Sequence, residues 1–131
     1  MFYDVAKNLY ISNCRASGKS HNTVESYERS LDLFGDWLRK KEGIAMLSNI
    51  TPASLLKWKR EIAERVSPST LRLYVSHLRT FFEFCFEMEY IPKNPFKKKV
   101  MEVKVKDSDV KDTKTHVLSP ILFKQIWSND Q

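Results

Sequence analysis

The stretch SPSTLRLYVSHLRTFFEFCFEME, residues 67–89, decides the fold of this chain. It opens with Ser67 and Pro68, and proline suits the first helical position because no N–H donor is needed there. Apolar residues then recur at helical spacing, namely Leu71, Tyr74, Val75, Leu78, Phe81, Phe82, Cys85 and Phe86. The pattern predicts a helix from 68 to about 89, roughly 33 Å long, at the centre of a hydrophobic core.

Three more helical patterns precede this stretch. The first covers 2–16, with predicted core positions at Phe2, Val5, Ala6, Leu9 and Cys14. The second covers 22–41, where Asn22 is the predicted cap and Glu25 its capping-box partner. Gly35 lies inside this helix and predicts a close contact with another helix. The third covers 52–65 and follows the cap-plus-proline pair Thr51-Pro52. Together these patterns predict an all-α domain, a four-helix bundle over residues 1–96.

The remainder of the chain differs in character. Residues 97–116 read KKKVMEVKVKDSDVKDTKTH, with seven lysines, four acids and no helical stripe. This composition favours a mobile, solvated linker, assigned to 97–117. A short strand formed by Val100, Val103 and Val105 on docking to another element is the alternative. A third cap-plus-proline pair, Ser119-Pro120, then begins a helical pattern close to the last residue. Residues 118–131 are therefore predicted to be the truncated start of a second domain.

Composition limits the classes of partner. Lys and Arg number 22 against 16 Asp and Glu in 131 residues, a net charge of +6, which is compatible with a polyanionic partner. No apolar run reaches the roughly 18 residues of a membrane span, and no signal peptide is visible. Cys14 and Cys85 lie in helical apolar patterns, which favours buried thiols in a reducing compartment. The predicted location is cytoplasmic, with no membrane partner.

The inventory of reactive residues argues against catalysis. The three histidines, His21, His77 and His116, have no spacing suited to zinc. Three glycines cannot build a phosphate-binding loop, and there is no Gly-x-Ser-x-Gly motif. We therefore predict no catalytic residues, no metal and no cofactor.

Polar residues on the fourth helix point to nucleic acid. Arg72, Ser76 and Arg79 are spaced four and three apart, so they share a face away from the apolar stripe. Cations, short hydroxyls and a helix N-terminus together suit phosphate contact. An ordinary solvated face on a protein–protein interaction domain is the alternative. An amphipathic membrane-surface helix is disfavoured, because the basic residues are spread over three helices.

Several motifs in order make the chain similar to one family. Residues 20–27 resemble a helix start of the form S-x-x-T-x-x-x-Y, followed by LDLFGDWL at 31–38. Residues 69–82 are similar to the segment ending L-S-x-L-R-x-F-F, and residues 90–95 to the exit I-x-x-N-P. Residues 118–120 resemble the opening of a following domain, although Lys124 departs from the acidic residue of that pattern. The chain thus resembles the N-terminal core-binding domain of tyrosine recombinases, the phage integrase family.

The resemblance implies a SAM-like four-helix bundle that clamps duplex DNA in site-specific recombination and integration. Its second and fourth helices would approach the major groove. The implied DNA-binding side chains are Thr23, Ser26, Arg29, Thr70, Arg72, Ser76, His77 and Arg79. The implied partners are double-stranded DNA, a catalytic domain of the same chain and further recombinase protomers. The family's tyrosine nucleophile and its His-x-x-Arg element belong to that catalytic domain, and residues 77–80 read HLRT instead.

The first prediction is that this chain does not cleave DNA. Incubated with duplex or nicked DNA, it is expected to form no covalent adduct, because no activated nucleophile is visible. Denaturing electrophoresis of labelled DNA measures this. A phosphotyrosyl product would contradict the inventory of residues.

Overall fold

The structure is a computed structural model that describes residues 1–105. Its main helices are α1 (Tyr3–Ala16), α2 (His21–Trp37), α3 (Pro52–Ala63) and α4 (Pro68–Glu87), followed by a short α5 (Lys98–Met101). A π-helical turn, Leu38–Glu42, extends α2, and a 3₁₀ turn, Leu47–Asn49, precedes α3. The predicted all-α, four-helix architecture is confirmed. Residues 106–131, including the predicted second domain at 118–131, lie outside the described part.

A hydroxyl pair three residues apart begins each of α2, α3 and α4. Ser20 accepts from the Thr23 amide at the start of α2, and Ser67 accepts from the Thr70 amide at the start of α4. Thr51 and Ser54 form a reciprocal capping box at α3. Such caps satisfy amides that have no partner within the helix. The predicted caps of α3 and α4 are confirmed, whereas Asn22 is wrong as the cap of α2, because Ser20 begins the helix.

The central position of α4 is also confirmed. The helix packs against α1, α2 and α3, and both Leu78 and Phe81 are completely buried. The Phe81 ring makes edge contacts with Tyr3, Tyr10 and Phe82, at centroid distances of 5.5, 5.6 and 5.1 Å. The core is therefore a set of interlocked aromatic rings around α4.

Gly35 allows α1 to approach α2 closely, as its place inside the helix predicted. A Cβ on Gly35 would lie 2.8 Å from Cε2 of Tyr3, closer than two carbons can approach. The Tyr3 hydroxyl donates to the Leu31 carbonyl at 2.6 Å. Burial raises the pKa of Tyr3, which keeps this hydroxyl protonated as a donor.

The predicted inner face of α1 is partly wrong. Phe2, Val5 and Leu9 are exposed, whereas Tyr3, Ala6, Tyr10 and Cys14 are buried. The tyrosines can turn inward because each hydroxyl has a partner, that of Tyr10 being Thr80 Oγ1 at 2.9 Å. Phe86, placed in the α4 stripe by its spacing, is also exposed, although its neighbour Cys85 is completely buried.

The first residues of the predicted linker form a helical turn that packs on the bundle. Lys98–Met101 form the helical turn α5, and Met101 is 1% exposed within the core. α5 packs against α3, and Phe96 is buried just before it. The folded domain therefore continues past residue 96, and we call residues 96–103 the exit segment. The rest of the predicted linker, 106–117, lies outside the described residues.

Both cysteines are buried free thiols, as their patterns predicted. Burial raises the pKa of Cys85 to about 12. Among residues 1–105, no helix has the length and apolar character needed to cross a bilayer.

The second prediction tests the core. Phe81→Ala is expected to lower the free energy of unfolding by about 3–5 kcal/mol, as for a large buried aromatic side chain. Urea denaturation followed by circular dichroism measures the change. A loss below about 1 kcal/mol would show that the face of α4 carrying Phe81 is not the core face.

Candidate nucleic-acid interface

The exposed strip of α4 carries two cations. Arg72 and Arg79 are exposed, and Ser76 between them is half-buried. Within residues 1–105 neither arginine takes part in an ion pair with a carboxylate. The pair is therefore available to an external anion, as the spacing of these residues predicted.

Two of the predicted DNA-binding side chains are not on this surface. His77 is 8% exposed and Thr70 is 4% exposed. Thr70 faces inward in the first turn of α4, where its hydroxyl accepts from Ser67 Oγ at 3.1 Å. His77 is one position beyond Ser76, and a step of about 100° along the helix turns it toward the interior. Both are removed from the candidate interface.

His77 instead joins α4 to α2. Its Nδ1 lies 2.7 Å from Ser30 Oγ, a hydrogen bond buried between the two helices. The Tyr27 ring packs edge-on against the imidazole, with 4.6 Å between centroids. Burial lowers the pKa of His77 to about 4, so the imidazole is neutral at pH 7. It holds α2 at a fixed position relative to the exposed strip of α4.

The three predicted residues of α2 lie in its first half. Thr23 and Ser26 are half-buried and Arg29 is exposed. Thr23 Oγ1 accepts from Ser20 Oγ at 2.9 Å, so this hydroxyl already serves the helix cap. Arg29 lies 3.5 Å from a Glu25 oxygen, and Glu25 also pairs with His21 at 2.7 Å. Glu25 therefore offsets part of the positive charge on this helix.

A groove beside α4 contains cations from the predicted linker. Arg72, Ser76 and Arg79 of α4 line it together with Lys98 and Lys99 of the exit segment, around a volume of about 460 Å³. The other lining residues are Val75, Phe96, Met101, Glu102 and Val103. Four cations thus surround one groove.

The charge along α4 is unevenly distributed. Both arginines lie within its first 12 residues, on the side of the helix N-terminus with its partial positive charge. The exposed carboxylates Glu83 and Glu87 follow in the last turns. A polyanion is therefore attracted to the part of the helix that carries the arginines and repelled by its last turns.

Lys98 and Lys99 had no signal in the sequence that would have separated them from the other lysines of the segment. The spacing of Val100, Val103 and Val105 favours a linker or a short strand, and neither interpretation predicts the buried Met101 that fixes the exit segment.

Comparison with known proteins gives two matches. The family profile described as the phage integrase N-terminal SAM-like domain matches residues 9–87, more than half of the chain. Tyrosine recombinase XerC of Oceanobacillus iheyensis is 31% identical over 75 residues, which are 56% of this chain and 24% of that protein. The aligned part thus spans about a quarter of the length of this relative. No solved structure matches significantly.

The third prediction concerns pH. The pKa of His77 is about 4 in the folded chain and about 6.5 when unfolded, so the unfolded state takes up the proton first as pH falls. This contribution to stability is present above about pH 6.5 and is lost between pH 6.5 and 4, amounting to about 2 kcal/mol between pH 7 and 5.

Urea denaturation at pH 7 and pH 5 measures this loss. The variant His77→Gln keeps a group that can bond to Ser30 but does not titrate. It is expected to lose about 2 kcal/mol less than the unmodified chain over this range. Equal losses of stability in the two proteins would show that folding does not lower the pKa of His77.

Proposed function

The chain belongs to the phage integrase family through its N-terminal SAM-like domain, and we propose that this domain binds double-stranded DNA. One observation carries the proposal: Arg72, Arg79, Lys98 and Lys99 surround a single groove beside α4. Cations gathered in this way match the phosphates of a nucleic-acid strand, and arginine in particular can donate two hydrogen bonds to one phosphate.

The proposed interface combines two helices. The strip Arg72, Ser76 and Arg79 and the lysines of the exit segment would contact phosphates, and Thr23, Ser26 and Arg29 would contact DNA from α2. The buried hydrogen bond between Ser30 and His77 fixes α2 against α4. The proposed DNA-contacting residues of the two helices therefore keep their relative positions in the absence of DNA. A rigid surface loses little conformational entropy on binding.

Phosphate contacts position a protein on DNA without reading its sequence. We therefore propose that this domain supplies affinity and orientation at a recombination site. Cleavage and strand exchange would be carried out by a catalytic domain of the same chain, in an assembly with further recombinase protomers. The family profile that matches is that of an N-terminal domain, and DNA integration or recombination in the cytoplasm is the activity proposed for the whole protein.

A protein–protein interaction domain is the second candidate function. Phe2, Val5 and Leu9 form an exposed apolar stripe on the outer side of α1. Such a stripe is a feature of surfaces that dock on other proteins. Salt distinguishes the two functions, because phosphate binding weakens steeply as salt rises.

The fourth prediction measures that dependence. If about four to six phosphates are neutralised, the logarithm of the DNA association constant falls with the logarithm of salt concentration, with a slope of roughly −4 to −5. Fluorescence anisotropy of a labelled duplex at several salt concentrations measures this slope. The isolated domain is expected to bind DNA with a Kd on the order of micromolar or weaker. Changing Arg72 and Arg79 together to Glu should weaken binding and make the slope shallower by about 2.

Lys40 and Lys41 provide the matched control. Both are exposed and lie in the π-helical turn at the far end of α2. Changing both to Glu alters net charge equally, and it is expected to reduce affinity much less. Equal losses for the two double variants would show that general basicity, and no particular face, accounts for binding.

A further inference from the structure

Lys59 on α3 reaches the backbone of the exit segment. Its Nζ donates to the carbonyl of Val100 at 3.0 Å and to the carbonyl of Glu102 at 2.7 Å. These carbonyls lie at the end of the short helix α5, where backbone acceptors have no partner within the helix. An ammonium group has several donors and can serve both carbonyls at once.

The same segment is held from its other side by apolar contacts. Phe96 is buried before α5, and Met101 is 1% exposed in the core beside α3 and α4. The Met101 amide donates to the Lys97 carbonyl at 3.0 Å and closes the turn. The buried Met101 side chain and the two hydrogen bonds from Lys59 hold this turn against α3. Lys98 and Lys99 of the same turn line the groove beside α4.

We propose that Lys59 is a positioning residue that docks the exit segment on α3 and thereby assembles the four-cation groove. Its ammonium is occupied by the two carbonyls, so its effect on DNA is exerted through Lys98 and Lys99. The inference rests on the proposed DNA binding for its functional consequence. The docking of the exit segment is inferred independently of DNA, from the hydrogen bonds of Lys59 and the burial of Met101.

The path of the chain out of the domain follows from this docking. Residues 104 and 105 follow a segment that Lys59 ties to α3, eight residues after the predicted end of the bundle at 96. Since a following catalytic domain would be attached at that point, Lys59 would also set the origin of the connection between the two halves of the proposed clamp.

The fifth prediction tests the docking without DNA, on the whole 131-residue chain. In Lys59→Met the aliphatic stem remains and both hydrogen bonds are lost. Amide exchange in residues 97–103, followed by mass spectrometry, is expected to become about tenfold faster. Lys57→Met is the matched control. It removes the same charge two residues earlier, on roughly the opposite side of α3, and it breaks the ion pair between Lys57 and Glu42 at 3.0 Å. It should leave this exchange unchanged, and equal exchange in the two variants would overturn the docking.

The second arm measures DNA affinity against salt for the same proteins. If Lys98 and Lys99 leave the groove, the slope for Lys59→Met becomes shallower by about 2, whereas Lys57→Met changes it by less than about 1. Faster exchange with an unchanged slope would overturn the positioning role. A flat salt dependence in the unmodified chain would instead contradict the proposed function, while the exchange result still decides the docking.

A further pair of variants keeps the test decisive if Lys59→Met disturbs folding. Lys59→Gln is a milder change whose side chain is too short to serve both carbonyls, and it is expected to speed exchange in 97–103 with the helical circular dichroism signal retained. The exposed residues Lys98 and Lys99, changed together to Gln, should make the salt slope shallower by about 2 with the exit segment still protected. A wild-type slope in that double variant would overturn the role of the two lysines.

Discussion

The burial of α4 on three sides is the constraint on which the rest of the structure depends. α1, α2 and α3 all pack against it, and the rings around Phe81 fill the space between them. Only a strip including Arg72 and Arg79 remains exposed over the first turns. The strip is charged because a position without protein contacts can keep a cation solvated. The shape of the core therefore determines which side chains an external partner can reach.

The sequence predicted the elements well, because their signals are local. Cap-plus-proline pairs and apolar spacing act within a few residues of themselves, and they located α3 and α4 closely. The inner face of α1 could not be found in this way, since the burial of Tyr3 and Tyr10 depends on acceptors at Leu31 and Thr80, far away in the chain.

In the candidate site too, features set by local sequence were predicted and features set by distant contacts were not. Helical spacing alone predicted that Arg72, Ser76 and Arg79 share one face, and the two arginines are exposed. His77 was misassigned because it lies between two exposed residues, and only the position of Ser30 on another helix explains its burial. Lys98 and Lys99 belong to a segment that Lys59 contacts through backbone carbonyls about 40 residues later in the chain, and no periodicity predicts such a contact. The family resemblance identified the class of protein. The hydroxyl pairs Ser20–Thr23 and Ser67–Thr70 act in this chain as helix caps.

The two buried thiols have a practical consequence for spectroscopy. Only a thiolate reacts readily with alkylating reagents, and the Cys14 and Cys85 side chains are enclosed between helices. A cysteine introduced at an exposed position could therefore be labelled with a fluorophore in the folded protein while the native pair stays unmodified. Over a much longer incubation, slow labelling of the native pair would record how often the bundle opens.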